Sequence, residues 1–397
     1  MKGLETEFLG VKFENPFILG AAPSTDELDI LRRGFEAGWA GAVLKTTSVP
    51  GTRVDIAYPM LASMREADSK LSLGNIDLIS VYHVDEVARR IEILRKEFPE
   101  KVLIASIMGA SRKEWQSLVK ILEEAGADMI ECSFSCPQGN IGEEPGRMLA
   151  QSAQATELVT SWVVSARKKI PVLIKITPQV TDIVEIAMAV KRGGADGITA
   201  SNTIPALMGI DIWSLVPNPP VDGKSAYSGL SGPAIKPITL RVIAEIARYT
   251  GMPIAGTGGA MNWRDAVEFM LVGAHIVQFV TAVMFHGFRI IDDLKSGLLY
   301  YMDRMGFESP RDIVGKSLEH IVWSYDELPL KKVKSRIDLD KCIGCGDCYI
   351  SCRDGGHMAI EFGDDRKPRV IDEKCVGCAL CKEVCPVPGC IQMETID

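Results

Sequence analysis

Three groups of residues in this sequence have types and spacings that suit chemistry. The stretch Glu131–Gln138 ends an apolar, strand-like run with a thiol, Cys136, which stands before a proline and a glycine-rich loop. Lys175 follows the apolar run Ile170–Ile174, although lysine is rarely buried without an anionic partner. The triplet Thr257-Gly258-Gly259 follows another apolar run, and glycine backbone amides there can bind phosphate. Together these groups suggest a thiol beside a phosphorylated cofactor.

Each of these groups also has an ordinary interpretation. Free cysteine is among the most buried residue types, so Cys136 can be a small core residue. Lys175 can lie at a strand end and extend its ammonium group into water. The paired glycines can form a tight turn with no ligand. The remainder of the chain decides between these interpretations.

Two runs of cysteines near the C-terminus share the spacing C-x2-C-x2-C-x3-C. This is the two-cluster ferredoxin pattern, in which the fourth cysteine of each run ligates the other cluster. It predicts two 4Fe–4S clusters, and zinc is the alternative that the doubled, crossed spacing disfavours. One predicted ligand set is Cys342, Cys345, Cys348 and Cys385, and the other is Cys375, Cys378, Cys381 and Cys352. Cys390 is left over and is interpreted as structural.

Such clusters move single electrons, so the rest of the chain must hold a centre that accepts electrons singly and delivers a pair. A flavin does this and a nicotinamide does not. No G-x-G-x-x-G fingerprint follows a predicted strand, so the sequence offers no Rossmann-type site for NAD(P) or FAD. FMN is therefore the predicted flavin.

The composition narrows the class of protein. The chain has 397 residues, of which 47% are hydrophobic, and a net charge of -8, which argues against nucleic acid as a partner. Nine of the eleven cysteines follow position 340, which indicates metal ligation in a reducing compartment. The N-terminus lacks the apolar core of a secretion signal, and Phe269–Phe285 is too short and too polar for a membrane span. We expect a cytoplasmic protein.

The chain alternates eight apolar runs with helical patterns, and this alternation predicts the fold that positions the three groups. Such an alternation indicates a parallel sheet, and eight strands close a (β/α)8 TIM barrel whose chemistry lies at the C-terminal strand ends. We predict an α/β fold with a barrel over residues 1–306, a linker over 307–334 and a ferredoxin-like domain over 335–397. The runs are Pro16–Ala21, Gly41–Thr46, Val102–Met108, Met129–Ser135, Val172–Thr177, Gly197–Asn202, Pro253–Gly258 and His275–Thr281.

Several of these motifs together resemble the FMN barrel of the dihydropyrimidine dehydrogenase family, which is related to class 1 dihydroorotate dehydrogenases. The ferredoxin-like tail matches as well, so the resemblance covers nearly the whole chain. It is closest to the FMN and iron–sulfur subunit of the bacterial two-subunit type. The motifs are Ser133–Pro137, Lys175–Pro178, Gly193–Gly197, Ser201–Thr203 and Ser228–Gly232.

The resemblance implies roles for individual residues. Cys136 takes the position of the general acid, and Lys175 lies near the N1 and C2 carbonyl of the flavin, where it stabilises the anionic reduced ring. The remaining implied flavin contacts are Ala21, Ala22, Lys45, Gly229, Ser231, Gly232, Thr257, Gly258, Gly259, Val280 and Thr281. The implied substrate contacts are Ser111, Ser133, Asn202 and Thr203, and Asn75 is a further candidate whose alternative role is to form a turn.

The predicted reaction is the reduction, or reversible oxidation, of a C=C bond conjugated to a carbonyl. The family holds its pyrimidine with asparagines where this chain has Ser111 and Ser133, so a non-pyrimidine or dihydroorotate-type substrate stays open. A barrel whose flavin only relays electrons is another alternative. The expected partner is an FAD- and NAD-binding subunit or a ferredoxin, and we expect an oligomer.

Overall fold

The computed structural model describes residues 3–66, 69–135 and 148–396, and it divides the chain into two compact units. The first unit is Met1–His320 and the second is Ile321–Asp397. The domain limits expected from the sequence, at residues 306 and 334, stay a prediction. Cys136 lies outside the described residues.

The strands of the first unit include eight that close a parallel barrel in the order β10-β13-β14-β3-β4-β7-β8-β9. The TIM barrel expected from the eight apolar runs is therefore confirmed. The strands of this unit are β1 (Thr6–Phe8), β2 (Val11–Phe13), β3 (Phe17–Leu19), β4 (Gly41–Thr47), β5 (Leu61–Glu66), β6 (Ser69–Asn75), β7 (Val102–Ile107), β8 (Met129–Ser133), β9 (Val172–Lys175), β10 (Gly197–Ala200), β11 (Ile204–Ala206), β12 (Ser228–Ser231), β13 (Ile254–Thr257) and β14 (Ala274–Phe279).

Every residue of β4, β7, β8, β9, β10 and β13 is buried, as expected for parallel strands covered on both faces. The interior core includes Val43, Ile104, Met129, Leu173 and Ala255, which come from five different barrel strands. Polar residues in these strands are consequently surrounded by apolar neighbours and need partners of their own. That requirement makes the few buried charged residues of the barrel informative.

Helices follow the barrel strands along the chain. Ser111, Asp182 and Asn262 each cap a helix by accepting hydrogen bonds from backbone amides in its first turn, which defines where that helix begins. The helices of the first unit are α1 (Leu28–Glu36), α2 (Val84–Glu97), α3 (Arg112–Glu124), α4 (Ala153–Val164), α5 (Ile183–Arg192), α6 (Lys236–Thr250), α7 (Trp263–Leu271), α8 (Thr281–His286) and α9 (Ile290–Met305).

A four-stranded antiparallel sheet, in the order β11-β12-β6-β5, is inserted between barrel elements and was not expected from the sequence. Asn75 of β6 pairs with Gly229 of β12, and Leu73 pairs with Ser231. The same four residues line the cavity described below. The sheet therefore brings two distant segments of the chain to one wall of that cavity.

The described residues of the second unit form two small antiparallel sheets and two α-helices. Its strands are β15 (Val333–Ile337), β16 (Ile360–Phe362), β17 (Pro368–Val370) and β18 (Ile391–Thr395), and its helices are α10 (Asp347–Gly355) and α11 (Leu380–Glu383). Cysteines make up much of its buried interior, together with Ala359, Ile360 and Ile391. Across the described residues of both units, no helix combines the length and apolar character that a membrane crossing requires.

Candidate active site and cluster sites

A large cavity opens where the C-terminal ends of the barrel strands meet. Its volume is about 1240 Å³, which exceeds the roughly 300–1,000 Å³ of pockets for one drug-sized ligand. Strand ends or following loops of all eight barrel strands contribute to its wall. The cavity therefore has room for a cofactor and a small substrate at the place where barrels of this kind hold their ligands.

The structure brings most of the sequence-predicted site residues to this cavity. Two of them do not line it, Ser111 and Gly232, and Cys136 lies outside the described residues. Ser135, the residue before Cys136, is buried and lines the cavity. The predicted residues in the cavity wall are Ala21, Ala22, Lys45, Asn75, Ser133, Lys175, Asn202, Thr203, Gly229, Ser231, Thr257, Gly258, Gly259, Val280 and Thr281.

Ser111 caps a helix next to the cavity and does not line the cavity itself. Its hydroxyl accepts a hydrogen bond of 3.3 Å from the amide of Glu114, and it is the N-cap of α3. The Glu114 carboxylate in turn accepts a 2.8 Å hydrogen bond from the amide of Ala110. The capped turn places the exposed Ser111 at the start of the helix. Met108, Gly109 and Ala110 form the cavity wall beside it.

Lys45, at the end of β4, lines the cavity with its charge already paired. Its Nζ lies 3.0 Å from Asp77 Oδ2, donates a 3.1 Å hydrogen bond to Asp77 Oδ1, and lies 3.9 Å from Asp26 Oδ2. Burial raises the pKa of the Asp26 carboxyl, which accepts a 2.6 Å hydrogen bond from Ser80. Lys45 is thus held by a carboxylate within the protein.

Lys175, the last residue of β9, is paired much less closely. Its Nζ lies 3.7 Å from Oε1 of Glu131, a fully buried carboxylate in β8. Within residues 3–66, 69–135 and 148–396, no oxygen accepts a hydrogen bond from this ammonium group. The N–H groups of the Lys175 ammonium are therefore available at the cavity wall to donate hydrogen bonds to an anionic group of a ligand.

Glu131, Gln278 and Asp77 were not singled out from the sequence. Glu131 and Gln278 interrupt the buried strands β8 and β14 just as Lys175 interrupts its own apolar run, so the same signal was present. Gln278 Nε2 donates a 2.8 Å hydrogen bond to Glu131 Oε2. Asp77 gave no such signal, because it lies in an irregular segment after β6.

The paired glycines after β13 adopt backbone conformations that favour glycine. Gly258 has φ of +111° and Gly259 has φ of +106°. A Cβ on Gly259 would lie 2.6 Å from the backbone nitrogen of Lys236, and one on Gly258 would lie 2.8 Å from Thr239 Oγ1. Side chains are thus excluded where this loop meets the start of α6, which leaves backbone groups at the cavity wall.

Two asparagines that are expected to contact substrate already donate hydrogen bonds within the protein. Asn202 Nδ2 donates a 2.6 Å hydrogen bond to Ser135 Oγ, and Asn75 Nδ2 donates a 3.0 Å hydrogen bond to the carbonyl of Gly229. These bonds fix the orientation of both side-chain amides. Asn202 is thereby tied to the residue that precedes Cys136.

In the second unit, eight cysteines surround two small cavities of about 20 Å³ each. One is lined by Cys342, Cys345, Cys348 and Cys385, and the other by Cys352, Cys375, Cys378 and Cys381. The thiols are therefore grouped as the crossed spacing predicts. Among the described residues, no three His, Cys, Asp or Glu side chains are placed to hold a single metal ion.

Burial raises the pKa of the Cys348 thiol to about 11, so iron must displace its proton on binding. Cys390 is buried and lines the same cavity as Cys342 and Cys385. Its Sγ donates to the carbonyl of Asp338 at 3.5 Å. The cysteine left over from the two runs is thus a fifth thiol beside one predicted cluster.

Two family matches cover nearly all of the chain. Residues 3–302 match the family described as dihydroorotate dehydrogenase, and residues 335–393 match the 4Fe–4S dicluster domain. The barrel and the cysteine-rich unit thus correspond to two separately known domains.

Some relatives are similar to nearly all of this chain, and others to about four fifths of it. The NAD-dependent dihydropyrimidine dehydrogenase subunit PreA of Escherichia coli K12 is 41% identical over 99% of this chain and 95% of its own length. The chloroplastic dihydropyrimidine dehydrogenase (NADP(+)) of Arabidopsis thaliana is 33% identical over 81% of this chain and 79% of its own length.

The catalytic subunit of dihydroorotate dehydrogenase B (NAD(+)) from Pyrococcus horikoshii is 34% identical over 80% of this chain and 98% of its own length. The resemblance inferred from the sequence motifs is therefore confirmed. The chain belongs to the dihydropyrimidine dehydrogenase family, as an oxidoreductase acting on CH–CH groups that joins a dihydroorotate dehydrogenase-type barrel to a 4Fe–4S dicluster domain.

Proposed function

We propose that the barrel cavity binds FMN and a small substrate, and that the chain reduces, or reversibly oxidises, a C=C bond conjugated to a carbonyl. One observation carries this proposal. The cavity wall combines the unfilled ammonium of Lys175 with the backbone of Gly258 and Gly259. An anionic ring edge and a phosphate group are the ligand features that such a wall accommodates.

The residues present fit the phosphate group of FMN. Phosphate sites in barrels lie in the loops after the seventh and eighth strands and at the start of a short extra helix. In this chain those places are Gly258 and Gly259 after β13, and Val280 and Thr281 where the short helix α8 begins. Thr281 Oγ1 donates a 2.8 Å hydrogen bond to Ser231 Oγ, another cavity residue.

When bound, the flavin supplies a hydride to one carbon of the double bond and accepts electrons singly from the clusters. Cys136 would protonate the other carbon, and its neighbour Ser135 lines the cavity. Asn202 and Thr203 would orient the substrate together with Asn75, which lines the same cavity from the antiparallel sheet. Lys175 would hold the negative charge that develops on the reduced ring.

Two residues of this chain favour a substrate other than uracil or thymine. The asparagine that the family places three residues before the cysteine is Ser133 here, and Ser111 caps a helix instead of lining the cavity. A site that lacks two amide contacts to an imide loses about 1–3 kcal/mol for each unpaired group. We therefore propose that the substrate is a cyclic or conjugated carbonyl compound that needs fewer hydrogen bonds from the protein than an imide does.

A panel of oxidants tests the proposed reaction. Anaerobically reduced holoprotein is mixed with uracil, thymine, orotate and cyclic enones, and flavin absorbance at its visible maximum is followed. We expect at least one conjugated C=C compound to reoxidise the flavin, and a cyclic enone to do so faster than uracil. Flavin that stays reduced with every compound contradicts the proposal, and rapid reoxidation by uracil contradicts the inference from Ser133.

The electrons would enter through the second unit from a partner, and the subunit name of the E. coli relative supports this. We propose an FAD- and NAD-binding subunit, with a ferredoxin as the other possible donor, in a reducing cytoplasm that preserves the cluster thiols. NADH is expected to leave the flavin of the isolated chain oxidised and to reduce it once the partner is added. Reduction by NADH without a partner refutes this part of the proposal.

The proposed cluster ligands give a separate prediction. Cys385→Ala is expected to lower the iron content of the purified chain by about half, because one of two clusters loses a ligand. Cys390→Ala is the matched control, since this thiol lines the same cavity but is outside the proposed set. Colorimetric iron analysis and electron paramagnetic resonance measure both. Equal iron loss in the two variants would refute the ligand set.

A further inference from the structure

A buried acid lies behind Lys175 in the barrel interior. Glu131 is fully buried, and its Oε2 accepts hydrogen bonds of 2.8 Å from Thr199 Oγ1 and from Gln278 Nε2. Among the described residues, no group donates a hydrogen bond to its Oε1. The three strands β8, β10 and β14 thus fix one carboxylate oxygen completely and leave the other directed to a single charged neighbour.

That neighbour is Lys175, whose Nζ lies 3.7 Å from Glu131 Oε1. Lys175 is the cation that pairs with Glu131 among the described residues. Glu131 and Lys175 thus form a buried pair of opposite charges, and such charges are tolerated in a protein interior when they are paired.

Lys45, the second lysine of the cavity, is paired with its carboxylate more closely than Lys175 is. Lys45 donates a hydrogen bond to Asp77, whose carboxylate lies 3.0 Å away, so its charge is strongly compensated. The Lys175 ammonium is attracted by Glu131 without a hydrogen bond to it. The N–H groups of Lys175 therefore stay available to a ligand. The negative charge of Glu131 meanwhile cancels part of the positive potential of Lys175 at the ligand.

We propose that Glu131 is a positioning residue that sets how much positive charge Lys175 presents to the flavin ring. The proposal rests on the proposed flavin site and goes beyond it. Glu131 reaches no ligand itself, since Lys175 and Gln278 stand between it and the cavity. By opposing the charge of Lys175, Glu131 lowers the affinity of the flavin for an added pair of electrons.

Glu131→Gln tests this in the flavin-loaded holoprotein, with two readouts that need no substrate. Removing one negative charge favours the reduced flavin, and at an effective dielectric constant near 20 the effect is about ten- to hundred-fold. The two-electron midpoint potential is expected to rise by about 30–60 mV, which is the same factor for a two-electron couple. Sulfite, an anionic probe of the flavin, is expected to bind about ten- to hundred-fold more tightly.

Thr199→Val is the matched control, because it removes a hydrogen bond to the same carboxylate without changing its charge. We expect its sulfite affinity to stay within about threefold of the wild type.

Glu131→Asp keeps the charge but withdraws it from Lys175, and it is expected to give a smaller rise in potential and in sulfite affinity. This variant keeps the proposal testable if Glu131→Gln does not fold. Flavin-loaded Glu131→Gln protein with unchanged potential and sulfite affinity overturns the proposal, as does a fall in either. A wild-type chain that holds no flavin would instead overturn the proposed function, so the two failures are distinguishable.

Discussion

Cys136→Ala is expected to slow reduction of the substrate by about 10²–10⁴-fold, the usual contribution of a positioned general acid. Electron transfer into the flavin should keep its wild-type rate, because the thiol takes part only after hydride is available. The measurement is anaerobic stopped-flow, in which flavin reduction by the partner and flavin reoxidation by the substrate are followed separately. A proton donor affects the second phase alone.

Cys132→Ala is the matched control for this experiment. Cys132 lies four residues earlier in β8, is fully buried and does not line the cavity. Burial raises the pKa of its thiol well above the ordinary value, so it is an inert core group. We expect its reoxidation rate to stay near that of the wild type. Unchanged turnover of Cys136→Ala with every substrate would favour a barrel whose flavin only relays electrons.

Lys175→Met is expected to have the second large effect, on flavin binding and on stability. The change removes the donors that face the cavity, and a hydrogen bond to a charged group contributes about 1.5–3 kcal/mol, or roughly 10–100-fold in flavin affinity. It also leaves Glu131 buried without its cation, which costs about 3–5 kcal/mol of the free energy of unfolding. The flavin-to-protein ratio after gel filtration and the thermal midpoint measure the two consequences.

Lys45→Met separates this effect from a general need for positive charge. Lys45 lines the same cavity, but its charge is compensated by a hydrogen-bonded Asp77. We expect a smaller loss of flavin, together with a similar loss of stability, because a buried carboxylate is again left unpaired. Equal flavin loss in the two variants would show that Lys175 has no special position relative to the ligand.

The barrel was predictable because its strands are buried on both faces and so appear as continuous apolar runs. Lys175 was predictable for the same reason, as a charge that such a run does not tolerate without a partner. The identity of the partner was not, since Glu131 lies 44 positions earlier in the sequence and the register in which β8 pairs with β9 is set only in the folded sheet. Local sequence patterns do not contain that register.

The antiparallel sheet of β5, β6, β11 and β12 could not be predicted from local sequence patterns. Its strands pair segments more than 150 residues apart, for example Asn75 with Gly229, and two of them have only three or four residues. Ser111, in contrast, has a local signal that describes its role. The spacing Ser111-x-x-Glu114 is typical of a capped helix start, and Ser111 is the N-cap of α3.

The most direct test of the account is the number of substrate molecules that one fully reduced chain converts. Holoprotein is reduced photochemically until flavin and cluster absorbance are both bleached, and it is then titrated anaerobically with the best compound from the panel. A flavin that stores two electrons and two clusters that store one each give about two product molecules per chain. The account predicts this value, with flavin and cluster absorbance recovering together. Recovery of the flavin after about one equivalent, with the clusters still bleached, would contradict it.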